Sequence, residues 1–498
     1  VAIVLVFAQG PPKEKVGVKR RKANPAQIKK LVYGLSVLMV PASLVLLFVH
    51  HLRVEQLATY YPASGGALLF MGFLAGMMRG ALKTAAFGLH TERKLHETPW
   101  SFNLRTDDGG FINVPNPDRG TLVLGGAGAG KSFSIGEPLV EQFAMKGRCG
   151  LIYDFKFPVL AAAAQKALIL AEPTVKQLHA QAVAKARALG APEPQPLRHH
   201  IINFTDMTRT EKVNPFRPQD MPDISYAMEY AQTIISNLGT SAKGGDDFFE
   251  KSAYAYLTSI IWFYRNNYPQ FCTIPHVVAT ALYEDLSAVL SMLKADPQAA
   301  GMAQSLIVAV EQKAEKQVAA VVASLQIALV RINTPNIAWV LTPDEERGEG
   351  FSLNLNDPLA PKLLTIGNNP TLKTTFSPVI ACVVATALKL MNQQGKHPSY
   401  VFLDEAATIY VPGLEVIPAT ARSNKVAMIY MTQDMAQMTD AYGPEKMKVL
   451  ISNLNNQFFG KVNSLETAKF VSDMIGREDR EMVSVSSGKN QGGKGGKA

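Results

Sequence analysis

The chain has 498 residues, room for roughly two to four domains, and is 47% hydrophobic but only 18% charged. That is ample material for a core, and the charged fraction is low enough to point to a membrane-embedded part. The net charge of +9 is misleading until it is located: residues 1–30 carry +7 and the tail from Ser486 carries +3, so the body sits at −1 and its basicity is excluded as an argument for nucleic acid.

The first eight residues, VAIVLVFA, are apolar but too short to span a bilayer, and no function follows from them. The basic block that completes residues 1–30 reads as a topology signal. Leu31–His50 is twenty residues without a formal charge, long enough to cross a bilayer as a helix. Pro41 inside it is tolerated more often in membrane helices than in soluble ones. A second uncharged run, Leu57–Met78, follows the short loop HLRVEQ. Basic residues flank the pair on both sides, KEKVGVKRRK before it and Arg79, Lys83, Arg93 and Lys94 after it. The positive-inside rule then puts both termini in the cytoplasm and the short loop outside. Gly72 and Gly76 form a GxxxG pair that would let two such helices pack closely. A buried helical hairpin in a soluble core is the other reading of this region.

From about Leu122 short β-rich runs alternate with helical stretches. The predicted strands are Thr121–Leu124, Leu151–Tyr153, His200–Phe204, Leu363–Ile366, Tyr400–Leu403, Val426–Met431 and Gln457–Val462. Such alternation implies an α/β domain with a mostly parallel sheet covered on both faces. An Ala-rich helical segment, AAAAQKALILAEPTVKQLHAQAVAKARALG, is closed by the Pro-rich APEPQPL. Between Met221 and about Leu341 no strand is expected. There Phe249, Ala253, Leu257, Ile261 and Tyr264 fall on one helical face, so an all-α insertion interrupts the α/β domain. The three cysteines, Cys149, Cys272 and Cys382, are scattered without metal spacing and suit a reducing compartment. The end, SSGKNQGGKGGKA, reads as a flexible tail.

Chemistry enters at GGAGAGKS, which satisfies G-x-x-x-x-G-K-[ST] directly after the strand TLVL. Gly125, Gly126, Ala127, Gly128, Ala129 and Gly130 would cradle phosphates with backbone N–H groups, at the N-terminus of the next helix. Lys131 would contact the β- and γ-phosphates of ATP, and Ser132 would hold Mg²⁺ through its hydroxyl. In YVFLDEA, four apolar residues form a buried strand that ends in two acids. Asp404 at the strand tip can hold Mg²⁺, through its water shell or directly, and Glu405 is placed to polarise the attacking water; two acids at the start of a solvated helix are the other reading. Gln433, after the strand Val426–Met431, would sense the γ-phosphate or orient water if its strand neighbours the one bearing Asp404. Arg422 precedes that same strand, at the end far from Gln433. It either reaches the site of the next subunit in a ring, as an arginine finger, or is a surface cation. Asp154 and Lys156 in LIYDFKF lie at another strand end, where an ion pair, a supporting contact or direct chemistry are all open.

The segments GGAGAGKS, IYDFK, KVNPF, FFEKSAYAYL, VFLDEA and ARSNKVAMIYMTQDMAQMTDAYG together resemble the type IV secretion coupling proteins, the TraG/TrwB-like conjugation ATPases. The last carries the most specific pattern, an Arg, a strand, a Gln and a Gln-x-x-x-x-Tyr-Gly run, here Arg422, Gln433, Gln437, Tyr442 and Gly443. The resemblance covers roughly residues 30–480. It implies a RecA-like P-loop nucleotide-binding domain with an inserted all-α domain and an N-terminal two-helix transmembrane anchor. The expected organisation is then a basic cytoplasmic segment (1–30), a transmembrane hairpin (31–80), the nucleotide-binding domain in two stretches (81–220 and 342–480), the all-α domain (221–341) and the tail (481–498).

By the same resemblance the protein is an ATPase of the bacterial inner membrane with both termini cytoplasmic. It would assemble as a homo-hexamer, recruit the relaxase–DNA complex and pass DNA to the type IV secretion channel. ATP and Mg²⁺ would be its cofactors. Lys131, Glu405, Arg422 and Gln433 would act in catalysis, and the all-α domain would meet the DNA-processing complex. The pattern departs from the family in two places: no long C-terminal recruiting extension follows the last predicted strand, and the periplasmic loop is short. A protein-only secretion motor and an FtsK-like DNA translocase are the competing readings. An inactive scaffold is disfavoured because Lys131, Asp404 and Glu405 are all present.

Overall fold

The structure, a computed structural model, describes residues 5–8, 92–239, 247–462 and 464–475. The expected membrane hairpin, its GxxxG pair and the flexible tail lie outside the described residues.

Ten strands are described. They are β1 (Leu5–Ala8), β2 (Phe102–Arg105), β3 (Phe111–Val114), β4 (Thr121–Leu124), β5 (Cys149–Asp154), β6 (Arg198–Ile202), β7 (Lys362–Gly367), β8 (Ser399–Leu403), β9 (Val426–Thr432) and β10 (Asn456–Phe459). Eight of them form one sheet in the order β1-β10-β4-β9-β8-β5-β7-β6, while β2 and β3 pair as a separate hairpin. From β10 to β6 every neighbouring pair is parallel. β1 joins the outer edge of β10 antiparallel. All seven expected strands therefore occur, with ends shifted by at most three residues, the most at the end of β10, which stops at Phe459 instead of Val462.

The central strands show no polar alternation because both faces are covered. Leu122, Leu124, Leu151, Tyr153, Val401 and Leu403 enter one core, while the residues between them, Val123, Ile152 and Phe402, enter the other. On the second face lie α1 (Glu137–Met145) and α2 (Val159–Leu170), which supply Leu139, Val140, Phe143, Leu160 and Ala164, together with Phe102 and Leu104 of the β2–β3 hairpin. The Ala-rich segment is two helices, broken at Ala171 before Glu172-Pro173; the second, α3 (Glu172–Ala188), buries none of its residues.

The first face carries the helices that fall between β6 and β7. These are α4 (Ile224–Leu238), α5 (Asp247–Asn267), α6 (Ile274–Ala281), α7 (Leu286–Leu293), α8 (Pro297–Glu311), α9 (Glu315–Leu329) and α10 (Pro335–Leu341). Several starts are set by side chains that accept from a free N–H of the first turn: Asp223 for α4, Thr273 for α6, Asp285 for α7, Asp296 for α8 and Thr334 for α10. These helices share one continuous apolar core with the sheet face and with α11 (Lys373–Met391). Among the described residues α11 is the one helix long and apolar enough to cross a membrane, but Val379, Ile380, Val383, Val384 and Ala387 are wholly buried in that core. The KVNPF segment ties sheet to helices. Asn214 donates to the Cys272 carbonyl at 3.0 Å, and the Val213 N–H donates to the Val340 carbonyl at 2.8 Å.

One glycine measures how closely β5 and β8 approach. Gly150 faces Tyr400 across the ladder, and a Cβ there would stand 2.1 Å from the Tyr400 carbonyl oxygen. Backbone cannot yield as a side-chain end can. Gly150→Ala should therefore destabilise the fold by about 3 kcal/mol, the upper range for an overpacked core, read as a lowered midpoint in denaturant unfolding of purified protein.

Candidate nucleotide site

The carboxyl ends of β4, β9 and β8 lie side by side, with β9 in the middle. The chain leaves β4 for β5, beyond β8, and returns later to fill the gap, so a crevice opens outside these ends. That is where parallel sheets bind ligands.

β4 ends at Leu124 and the chain turns at once. Gly125 N–H donates to Thr432 O at 3.3 Å and Gly126 N–H to Lys461 O at 2.7 Å, which fixes the loop between the ends of β9 and β10. Gly128 and Gly130 take φ of +72° and +80°, values that residues with a Cβ rarely adopt. Ala129 N–H closes the turn on Gly126 O at 3.1 Å. A π-helical turn, Ser132–Gly136, then leads into α1. Like any helix start it directs N–H groups out of its end, and these give the loop a positive potential. This cradle, with Lys131 and Ser132 at its rim, fits the triphosphate of a nucleotide.

The Lys131 side chain folds back over the loop. Its Nζ donates to the Gly125 carbonyl and lies 3.5 Å from Glu405 Oε1, and both side chains are less than a tenth exposed. The two halves of the expected site, read from stretches more than 270 residues apart in sequence, thus meet in one ion pair.

β8 is buried along its whole length and stops at the acidic pair. Asp404 N–H donates to Tyr153 O at 3.1 Å, extending the ladder by one bond. Asp404 and Glu405 are each 4% exposed. The Asp404 carboxyl is pushed up to about 7, first by burial and then by the neighbouring Glu405 and Asp154 carboxylates; Lys156 and Lys131 oppose the rise. A hard divalent cation relieves such crowding, and Ser132 with Asp404 is an oxygen donor set of the kind Mg²⁺ accepts beside phosphates. Glu405 itself sits at φ +46°, ψ +49°, an unusual state for a non-glycine and a form of strain that clusters at functional sites.

β9 pairs with both β4 and β8, Thr432 opposite Leu124 and Tyr430 opposite Leu403. Gln433, the next residue, is therefore held at the crevice between the P-loop strand and the acidic strand. The helix after it, α13 (Met435–Tyr442), is capped by Asp434, which accepts from Gln437 N–H at 2.9 Å; α12 (Ile417–Ala421) precedes β9.

Comparison with known proteins bears on this geometry. Residues 398–498, from the edge of β8 onward, match the family described as the TraM recognition site of TraD and TraG. The bacterial conjugative coupling protein TrwB, in its unbound monoclinic form lacking the N-terminal 70 residues, aligns at 16% identity and a TM-score of 0.51, over 72% of this chain and 71% of that one. The likeness is to the TraG/TrwB-like coupling proteins. TrwB in complex with ADP and Mg²⁺ aligns with the same identity and TM-score, over 72% and 73% of the two chains. TrwB with the GTP analogue GDPNP aligns at 16% identity and a TM-score of 0.50, over 76% and 78%. Among curated proteins no sequence match was found.

The remaining expected residues separate. Arg422 caps the C-terminal end of α12, is exposed, and lies at the opposite end of β9 from Gln433. Asp154, whose role the sequence leaves open, caps α2: its Oδ2 accepts from the N–H groups of Leu160 and Ala161 at 2.9 and 3.1 Å. Burial lifts its carboxyl to about 6, and those backbone donors restrain the rise. Lys156 is exposed and forms no ion pair with it among the described residues.

Three residues to which the sequence analysis gives no role also bear on the site. Asn368, just past β7, donates to the Tyr153 hydroxyl at 2.7 Å. The Tyr153 hydroxyl lies 2.7 Å from that of Thr408, which in turn donates to the Glu405 carbonyl at 2.7 Å. This chain of hydroxyls runs beneath the strained peptide of Glu405. Tyr153 alone had a sequence signal, its place in the segment IYDFK; Asn368 and Thr408 had none.

Proposed function

We propose that the protein is a membrane-anchored ATPase of the bacterial inner membrane that couples a relaxase–DNA complex to a type IV secretion channel and drives DNA through it. The observation that carries this reading is the Lys131–Glu405 contact of 3.5 Å. It brings the lysine of GGAGAGKS and a buried carboxylate together at one crevice, in a fold like that of a conjugative coupling protein. The match of residues 398–498 to the TraM recognition site of TraD and TraG supports a partner in the DNA-processing complex.

In this reading the loop Gly125–Gly130 and Lys131 bind the triphosphate. Glu405 takes the proton of the attacking water, and Gln433 orients that water. Ser132 and Asp404 would hold Mg²⁺, which neutralises charge on the phosphates. Arg422 would complete the site of an adjacent copy in a homo-hexamer. Residues 31–80 would anchor the ring, with both termini cytoplasmic.

The test is ATP hydrolysis by the full chain in detergent, with and without single- and double-stranded DNA. Lys131→Ala should lower turnover by about 10²-fold or more, as loss of one charge-stabilising donor does elsewhere. Stimulation of the wild type by DNA, absent in the variant, supports the DNA motor. Robust hydrolysis indifferent to DNA transfers the assignment to a protein-only secretion motor.

A further inference from the structure

The seven residues from Glu405 to Val411 form a strap between the acidic strand and the helical layer, and they are tied on three sides. On the crevice side, the Tyr153–Thr408 pair holds the Glu405 carbonyl, and Thr408 N–H adds a second bond to it at 2.8 Å. From α13, the Tyr442 hydroxyl donates to Ile409 O at 3.0 Å, and its ring packs on that of Tyr410 with centroids 5.2 Å apart. The third tie comes from α4, in the helical insertion. Asn237 Nδ2 donates to Tyr410 O at 2.7 Å, and Asn237 Oδ1 accepts from Tyr410 N–H at 2.8 Å.

This last contact is a two-bond clamp on a single residue's backbone, the pattern one strand offers another. The amide has no freedom left, since Nδ2 also donates to the Thr233 carbonyl at 2.8 Å within α4. Asn237 thus converts the position of α4 into the position of Tyr410, five residues from a glutamate held in a left-handed conformation. Neither tie is needed to close the apolar core: Asn237 is half-buried in the last turn of its helix, and Leu238 beside it fills the core.

We propose that Asn237 is a positioning residue for Glu405, through which the helical layer sets whether Glu405 is poised for hydrolysis. The inference rests on the reading of Glu405 given above. A displacement of α4, by whatever engages the helical layer, pulls Tyr410 with it and is felt at the Glu405 peptide through Thr408.

The experiment compares Asn237→Leu with wild type in the full chain in detergent. Turnover of ATP, affinity for ADP and for a non-hydrolysable ATP analogue, and thermal unfolding are measured on each. Turnover should fall by about 10-fold or more with nucleotide affinity within about twofold of wild type, the split expected when only the chemical step is disturbed. Thr408→Val, which cuts the strap from the other side, should show the same split, and Thr408→Ser, which keeps the hydroxyl, should restore turnover. The Asn237→Leu/Thr408→Val double variant should be no slower than the slower single, because residues acting through one element are non-additive. Turnover of Asn237→Leu within twofold of wild type, or turnover and affinity lost together, overturns the proposal. Should Asn237→Leu fail to fold, Asn237→Asp takes its place, since it keeps the acceptor for Tyr410 N–H but sets an oxygen against the Tyr410 carbonyl. Glu405→Gln is measured alongside. A silent Glu405→Gln with a normal Asn237→Leu refutes the clamp alone, whereas full turnover in Glu405→Gln refutes the reading of the site.

Discussion

Arg422→Ala should lower ATP turnover by about 10³-fold while leaving nucleotide binding unchanged, the loss expected of an arginine finger. The reason is positional. Arg422 stands before Val426 and the crevice lies beyond Thr432, so the length of β9 separates them. Seven residues of strand span roughly 20 Å, which no arginine side chain bridges. Within one chain, then, its removal should do nothing to hydrolysis. A large loss means the guanidinium acts on another copy. The exposure of Arg422 and its lack of an ion pair among the described residues leave it available for that. The decisive form of the test mixes Arg422→Ala with Lys131→Ala protein. Each is silent alone, but an interface with an intact P-loop from the first and an intact Arg422 from the second should recover part of the turnover. Wild-type turnover in Arg422→Ala, or no recovery on mixing, removes the trans role.

Glu405→Gln should reduce turnover by about 10²- to 10⁴-fold, the usual contribution of a positioned base, and should bind nucleotide at least as tightly as wild type. The second half follows from the Lys131–Glu405 pair. Both side chains are withdrawn from solvent, and under the proposed function Glu405 is the charge that Lys131 would give up on turning to phosphate. The neutral amide keeps the shape and removes that competition, so more of the lysine's interaction is available to the ligand. Equilibrium binding of a fluorescent ADP derivative checks this directly. Weaker binding in Glu405→Gln would mean that Glu405 holds the loop in shape instead of activating water.

The sheet was legible in the sequence because its strands are covered on both faces. TLVL, SYVFL and VAMIYMT are continuous apolar runs, and each stops at the residue where the chain reaches the crevice, so strand ends and site residues announce one another. The β2–β3 hairpin escaped because FNLR and FINV are short and mix polar with apolar residues, and only one face of each is buried. β1 escaped because VAIVLVFA carries no turn signal to separate a strand from a membrane-seeking segment. In the candidate site, Lys131, Asp404 and Glu405 could be singled out because phosphate and metal chemistry asks for those types beside such strand ends, and the structure brings them to one crevice. Asn237, Thr408 and Asn368 could not, since a side-chain amide or hydroxyl has many uses and its value here comes from three-dimensional partners. The same limit applied to Asp154, whose carboxylate serves the start of α2 by an i to i+6 reach that no local pattern specifies.

β1 bears on the path of the residues that follow it. Leu5–Ala8 is a strand of the same sheet that contains the P-loop and acidic strands, laid antiparallel along β10. The chain leaves that sheet at Ala8 and is back within the same folded unit by Glu92, whose backbone pairs with Phe111. A path that starts and finishes in one aqueous compartment can cross a lipid bilayer only an even number of times. For the membrane anchor proposed above, the pairing of β1 asks for an even number of crossings, a requirement independent of where lysines and arginines lie.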